Sequence, residues 1–319
     1  MSPDTASITA GRLGDVAGKK QPPRPRRPVR RLLGQHPIGI AFVTPYTVFL
    51  AVLAAYPILL ALWISFHDFF FTAPGVDVPK PFVGLDNYAD VLSDPLVRRS
   101  FVNIAIFLAI NVPLTTIAAL ALAAVLNAVL PLRGFFRTAY YLPYVTASVA
   151  VVAVWLWLFS RDGLVNTILG HLAPQPSWLV NETLVMPLIA LYVTWKQLGF
   201  FVVLYLAALQ NIPRQLYESA AVDGAGRLRI WWSITVPSVR PATTLVVVLA
   251  TIWGANLFTE PYLLTGSGGP NGASMSPVLI MYQKGIQQGK PDFAAALGFV
   301  LVAAVLALSL LNRRLLERE

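Results

Sequence analysis

The chain is 319 residues long, 56% hydrophobic and only 12% charged, with a mean hydropathy of +0.64. A soluble domain carries about twice that charged fraction, so composition points to an integral membrane protein. With no cysteine, disulfides, thiolate metal sites and thiol nucleophiles are excluded. His36, His67 and His171 are too scattered for a metal cluster, so no metal is expected.

In chain order, residues 1–37 form a polar arm rich in Gly, Pro and Arg, ending QPPRPRRPVRRLLGQHP. It cannot bury apolar surface and is expected to be a disordered basic arm beside the bilayer. It is unlike a signal peptide, lacking a short apolar core followed by a cleavage site. GDVAGKK within it only superficially resembles a phosphate loop. Three residues separate its glycines where four are needed, and Lys20 stands where Ser or Thr would bind magnesium. No cofactor is expected in this chain.

Six apolar runs follow, at about 38–66, 101–130, 140–160, 184–209, 242–264 and 292–311. Each is near the ~20 residues that cross ~30 Å of hydrocarbon as a helix. The expectation is an all-α polytopic protein with six transmembrane helices over residues 38–312, a tail at 313–319, and a cytoplasmic loop at 210–241. Pro45, Pro57, Pro113, Pro143, Pro187 and Pro261 lie in these runs, where neighbouring helices can re-satisfy freed carbonyls. Six spans place both termini on one side. With the N-terminus inside, inner segments hold seventeen Lys and Arg against six in outer loops, which predicts N-in and C-in. The net charge of +9 is therefore mostly topological, and a nucleic-acid partner falls away.

The first outer loop, HDFFFTAPGVDVPKPFVGLDNYADVLSDPLVRR, carries five Asp and turn signals, and the later TGSGGPNGASMSP is turn-rich without charge. The inner segment NIPRQLYESAAVDGAGRLRIWWSITVPSVR is too apolar for a plain linker. It predicts two short helices joined by a glycine bend along the membrane face. Ala220, Ala221, Gly224 and Ala225 would let another chain approach closely at the elbow. Glu218 and Asp223, five residues apart, do not share a helix face. One is expected to face a basic partner and the other to cap the second helix.

Polar groups inside spans are costly and mark function by default. Lys196 lies mid-way along the fourth run and Glu260 in the outer part of the fifth. A rise of 1.5 Å per residue places them about 18 Å and about 7 Å below the outer face. That weighs against a direct ion pair and leaves snorkelling to water open for either. The fifth run also carries Trp253, Asn256, Phe258 and Tyr262, flat apolar faces and polar groups of the kind a sugar needs. The competing reading is helix packing for the aromatics and interhelical hydrogen bonding for Asn256. Asn103, Asn111 and Asn127 read as interhelical glue.

The spacing Glu218, Ala220, Asp223–Gly224–Ala225, Ile234, Pro237 and Pro241 resembles the EAA loop of binding-protein-dependent ABC importer permeases. Ser219 stands in place of the motif's alanine, and Val236 in place of the leucine before Pro237. FVGLDNYADVL, FFRTAYYLPYV, LAALQNIPRQLYESA and YLLTGSGGPNG each look like carbohydrate-importer permeases of the maltose and glycerol-phosphate type, the GGP turn like the first of the two permeases such systems pair. The resemblance covers nearly all of residues 38–312. It implies the type I importer fold in a prokaryotic inner membrane, and no catalysis in this chain. It also implies a second permease, an ATPase dimer carrying ATP and magnesium, an extracytoplasmic binding protein and a carbohydrate substrate. Glu218, Ser219, Ala220, Ala221, Asp223, Gly224, Ala225, Gly226 and Pro237 would dock in the ATPase. Counting back from the LLT before the GGP turn, Asn256 and Phe258 fall where maltose-type permeases line the sugar site.

Two other classes remain to be weighed. An ion-gradient carrier would make Lys196 and Glu260 the coupling residues, but no inverted repeat is evident. A membrane-embedded enzyme lacks any assembled base, nucleophile or metal constellation.

Overall fold

The computed structural model describes residues 37–72, 75, 78–128 and 133–316. The basic arm expected at the N-terminus lies outside them. The chain divides into two units at Pro57 and Ile58. The first contains α1 (Pro37–Leu50) and a wide π turn at Ala51–Ala55, after which the chain enters α2 (Tyr56–Ile64). The π turn sits just before Pro57, whose ring would otherwise clash with the carbonyl four residues back. In the apolar stretch Phe42–Ile64 no residue is buried. A helix apolar all round is what a membrane span requires.

The second unit holds the other spans. One rim of it begins with α3 (Asp86–Ser93), whose Asn87 amide donates to the carbonyls of Ser65 (3.1 Å) and His67 (3.0 Å). Tyr88 meets Ser65 Oγ at 2.8 Å. The LDNY stretch is thus a clasp on the end of α2. Asp94 caps α4 (Pro95–Asn127), its carboxylate accepting from the amides of Leu96 and Val97, with Pro95 pre-set in the first turn. Such a cap contributes about 1 kcal/mol.

α4 and α8 (Val185–Gln210) form the most extensive helix pair among the described residues. Their seam buries Phe107, Ile189, Tyr192, Phe201 and Tyr205, and Asn111 donates to Thr194 Oγ1 at 2.8 Å. Asn111 is interhelical glue, as expected. Asn103 instead donates to the carbonyls of Gly272 (2.8 Å) and Met275 (2.9 Å), tying α4 to the GGP turn rather than to a helix. Asn127 is exposed.

Between them lie α5 (Arg133–Val145), α6 (Ser148–Leu158) and the short α7 (Leu164–Leu169). The loop after α8 supplies α9 (Arg214–Val222), α10 (Arg227–Ile230), a π turn at Trp231–Thr235 and α11 (Val236–Ser238). α12 (Arg240–Ala255), α13 (Thr259–Leu264), α14 (Pro277–Met281) and α15 (Pro291–Leu316) complete the chain.

Four helices are long and apolar enough to cross a membrane, and two bent pairs bring the number to six when each counts as one span. The two broken spans depart from the expected plain helices. The third bends by 96° between Val145 and Ser148. The second bent pair, Arg227–Ser238 with Arg240–Ala255, turns by 64° at Val239. The fifth run, expected over 242–264, is interrupted as well, stopping at Ala255 and resuming at Thr259. Its break is stabilised by Ser276, whose buried hydroxyl donates to the Leu257 carbonyl at 2.5 Å and accepts from the Leu279 amide at 3.1 Å. A freed carbonyl in a membrane domain needs such a partner.

Candidate functional site

Two places gather the residues singled out from sequence. The first is the elbow of the loop between α8 and α12. α9 ends in a Schellman stop: the Gly224 amide donates to the Ala221 carbonyl at 3.1 Å and the Ala225 amide to Ala220 at 2.9 Å. The geometry needs a left-handed residue at Gly224, whose φ is +75°. A side chain there would meet open space, so the elbow is unobstructed on its outer surface. Gly226 has an ordinary φ of −67° and is the N-cap of α10. Tyr217 OH and the buried Thr235 Oγ1, 3.1 Å apart, brace the two arms. A cavity of about 210 Å³ between the arms is lined by Ala220, Asp223, Ala225, Arg229, Ser233 and Ile234, among others.

The Glu218 and Asp223 side chains are exposed, with no hydrogen-bond or ion-pair partner among the described residues. The expected capping of the second helix by one of them does not occur. Asp223 is the C-cap of α9, and Gly226, three residues later, takes the N-cap place without any side-chain bond. Ser219 and Ala221 are exposed on α9, and Pro237 lies in the first turn of α11 after the π turn.

The second place lies among the spans. Lys196 on α8 and Glu260 on α13 form an ion pair at 4.0 Å, with side chains only 14% and 13% exposed. The depth argument against the pair assumed an unbroken fifth helix. The break at residues 256–258 redirects the chain and removes that assumption. Lys196 also donates to Ser148 Oγ at the start of α6. Ser148 escaped sequence reasoning because a lone serine in an apolar run carries no signal.

The aromatic set does not converge. Trp253 packs on Phe200 and Phe201 of α8, with ring centroids 5.0 and 5.5 Å apart. Phe258 stacks on Tyr262 at 5.4 Å, and both meet Tyr282 edge-on. Asn256 is exposed at the break, its amide donating to the Ile252 carbonyl at 2.7 Å and to no other helix.

A third cluster on the rim was also missed. Glu182 accepts from Arg99 at 3.0 Å and from Asn271 at 2.5 Å, clamping the GGPNG turn to α4. These bonds, Asn271 first and then Arg99, hold the Glu182 carboxyl below its ordinary pKa. A cavity of about 850 Å³ is lined by Phe159, Arg161, Asp162 and Asn166, among other residues between Leu156 and Val180. Among the described residues no His, Asp and Glu cluster could hold a metal.

The family model described as "Binding-protein-dependent transport system inner membrane component" matches residues 112–318, which include the elbow and both broken spans. The chain belongs to that family. It is similar to the lactose transport system permease protein LacF of Rhizobium radiobacter, 33% identical over 280 residues that cover 86% of this chain and 92% of that protein. It also resembles the trehalose/maltose transport system permease protein MalF of Thermococcus litoralis, 34% identical over 77% of this chain and 82% of that protein. A solved bacterial ABC transporter involved in import of the acidic polysaccharide alginate shares the fold, with a TM-score of 0.71. It is 21% identical and covers 91% of this chain and 98% of its own. The chain is therefore a multi-pass permease subunit, without catalysis of its own, and works with a binding protein. Membership in this family sets aside the ion-gradient carrier.

Proposed function

We propose that the chain forms half of the translocation pathway of an ATP-driven carbohydrate importer, oriented N-in and C-in. The other parts are a second permease, an ATPase dimer carrying ATP and magnesium, and an extracytoplasmic sugar-binding protein. The names of the lactose and trehalose/maltose permeases support the carbohydrate class. The seventeen-to-six distribution of basic residues supports the orientation.

The elbow carries the reading. Its arms are braced by their own hydrogen bonds, its apex is open, and its two carboxylates have no partner among the described residues. That combination suits a rigid knob seated in a cleft of the ATPase, where Glu218 and Asp223 meet donors. Ser219, Ala220, Ala221 and Ala225 keep its surface low, and Gly226 and Pro237 set the return arm. Closure of the ATPase dimer then tilts the arms and, through α8 and α12, the spans attached to them. On the membrane side, Asn256 lies exposed at the break with Trp253, Phe258 and Tyr262 on either side. This stretch is the proposed sugar path, and Lys196 and Glu260 border it.

The chain has no native cysteine, so a single cysteine at Ala221 reports the elbow's neighbour cleanly. Cross-linking of Ala221→Cys to the ATPase subunit in intact membranes, strengthened or weakened by ATP, is the expected result. Labelling of that cysteine from outside sealed cells would overturn both the orientation and the docking.

A further inference from the structure

The third and fifth spans are both broken, and both breaks lead to the same side chain. Ser148 is the first residue of α6, immediately beyond the bend in the third span. Glu260 is the second residue of α13, immediately beyond the break in the fifth. Lys196 of α8 bonds Ser148 Oγ and pairs with Glu260 at 4.0 Å. We propose that Lys196 is a positioning residue, a three-way joint that fixes the outer arms of both broken spans to α8, the fourth span.

An unbroken helix holds its two ends in register through its own hydrogen-bond ladder. A broken one does not, so the arm beyond the break needs an anchor elsewhere. α8 supplies one for each arm. Gly199, one turn from Lys196, serves the other side of the bend in the third span. A Cβ placed there would lie 2.3 Å from the Tyr140 carbonyl oxygen and 2.7 Å from Tyr141 Cα. α5 therefore crosses α8 backbone against backbone at Gly199, while α6 is held at Lys196. The third span is gripped on both sides of its bend by two residues on one face of α8.

The charges fit a joint. A mostly buried ammonium must be paired and hydrogen-bonded to remain among spans, and it finds a carboxylate and a hydroxyl. The pair is neutral overall, so it holds without leaving a net charge in the apolar interior. Neither partner is on a straight neighbouring helix, where Asn111 and Thr194 already supply the glue. The joint links residues whose relative position the helices alone leave undetermined.

The test uses the complete complex in proteoliposomes. Cysteines at Leu142 on α5 and Val149 on α6, 58% and 66% exposed, carry spin labels whose separation reports the bend. Binding-protein-stimulated ATP hydrolysis, which rests on the importer reading, is the second readout. Lys196→Met is expected to broaden the distance distribution and lower stimulated hydrolysis about tenfold or more, since Glu260 is left buried and unpaired. The paired change Lys196→Met with Glu260→Gln should be milder. Charge reversal, Lys196→Glu with Glu260→Lys, should restore the narrow distance and most of the hydrolysis. Ser148→Ala, which removes one contact and leaves the charges paired, should broaden the distance without loss of insertion. A narrow distance in Lys196→Met or in Ser148→Ala overturns the joint. So does a charge reversal as disordered as the single substitution, the result for a side chain that acts by touching solute. Distances that follow the expected order in a complex that hydrolyses no ATP would keep the joint and overturn the importer reading.

Discussion

The elbow and the Lys196 joint are built in opposite ways. At the elbow the bonds among the described residues close within the loop itself: the Schellman pair at Gly224, the Tyr217–Thr235 brace, and amides answered by nearby carbonyls. Its carboxylates are exposed and have no partner among the described residues. At the joint the contacts span three separate elements, and the charged groups are used up within the chain. A surface meant for a partner keeps its polar groups unspent, whereas a hinge inside a membrane must satisfy them on the spot, because lipid offers no hydrogen bonds.

The contrast can be broken most forcefully at Gly224. Gly224→Val forces a β-branched residue into φ +75° and adds bulk to the open apex. ATP-driven uptake is expected to fall to background while the protein still inserts, as read by uptake in cells and by membrane content. Gly224→Asn tolerates the left-handed backbone and adds only the side chain. A loss of similar size assigns the effect to docking, and near-normal uptake assigns it to the backbone turn.

At membrane level, Gly199→Leu should destabilise by about 1–3 kcal/mol through overpacking. The α5 crossing has no room for a side chain, with the Tyr140 carbonyl oxygen 2.3 Å from a Cβ there. A lower melting temperature in detergent, with the elbow cross-link retained, would show that the two regions fail independently. A smaller change is expected from Asn256→Ala, which removes an exposed amide and no interhelical bond. Half-saturation for the imported sugar should rise several-fold, on the order of one lost hydrogen bond, with stability unchanged. Identical uptake kinetics would take Asn256 out of the path.

The smallest effect belongs to the rim clamp. Glu182's carboxyl is held below its ordinary value of 4.5 by Asn271 and then Arg99. Its contribution is complete above that value and is lost as pH falls through the lowered pKa. Proteolysis of the GGPNG turn should accelerate only in that acid range, and Glu182→Gln should abolish the pH dependence. Because the clamp is exposed, high salt should weaken it as well.

Sequence alone determined the apolar runs long enough to span, the loop elbow and its turn. Span length follows from bilayer thickness, and a Schellman stop is written in a few consecutive residues, with glycine where a left-handed turn is needed. The same local reading placed Asn111 as glue, since an amide in an apolar run must find a partner helix. Only the tertiary structure decided where the third and fifth spans break, that Ser276 answers the carbonyl freed at Leu257, and that Lys196 reaches Glu260. Each of those depends on which distant group takes up a bond the helix gives away. Local periodicity cannot encode that choice, because the partner lies on another element and its depth depends on the break itself.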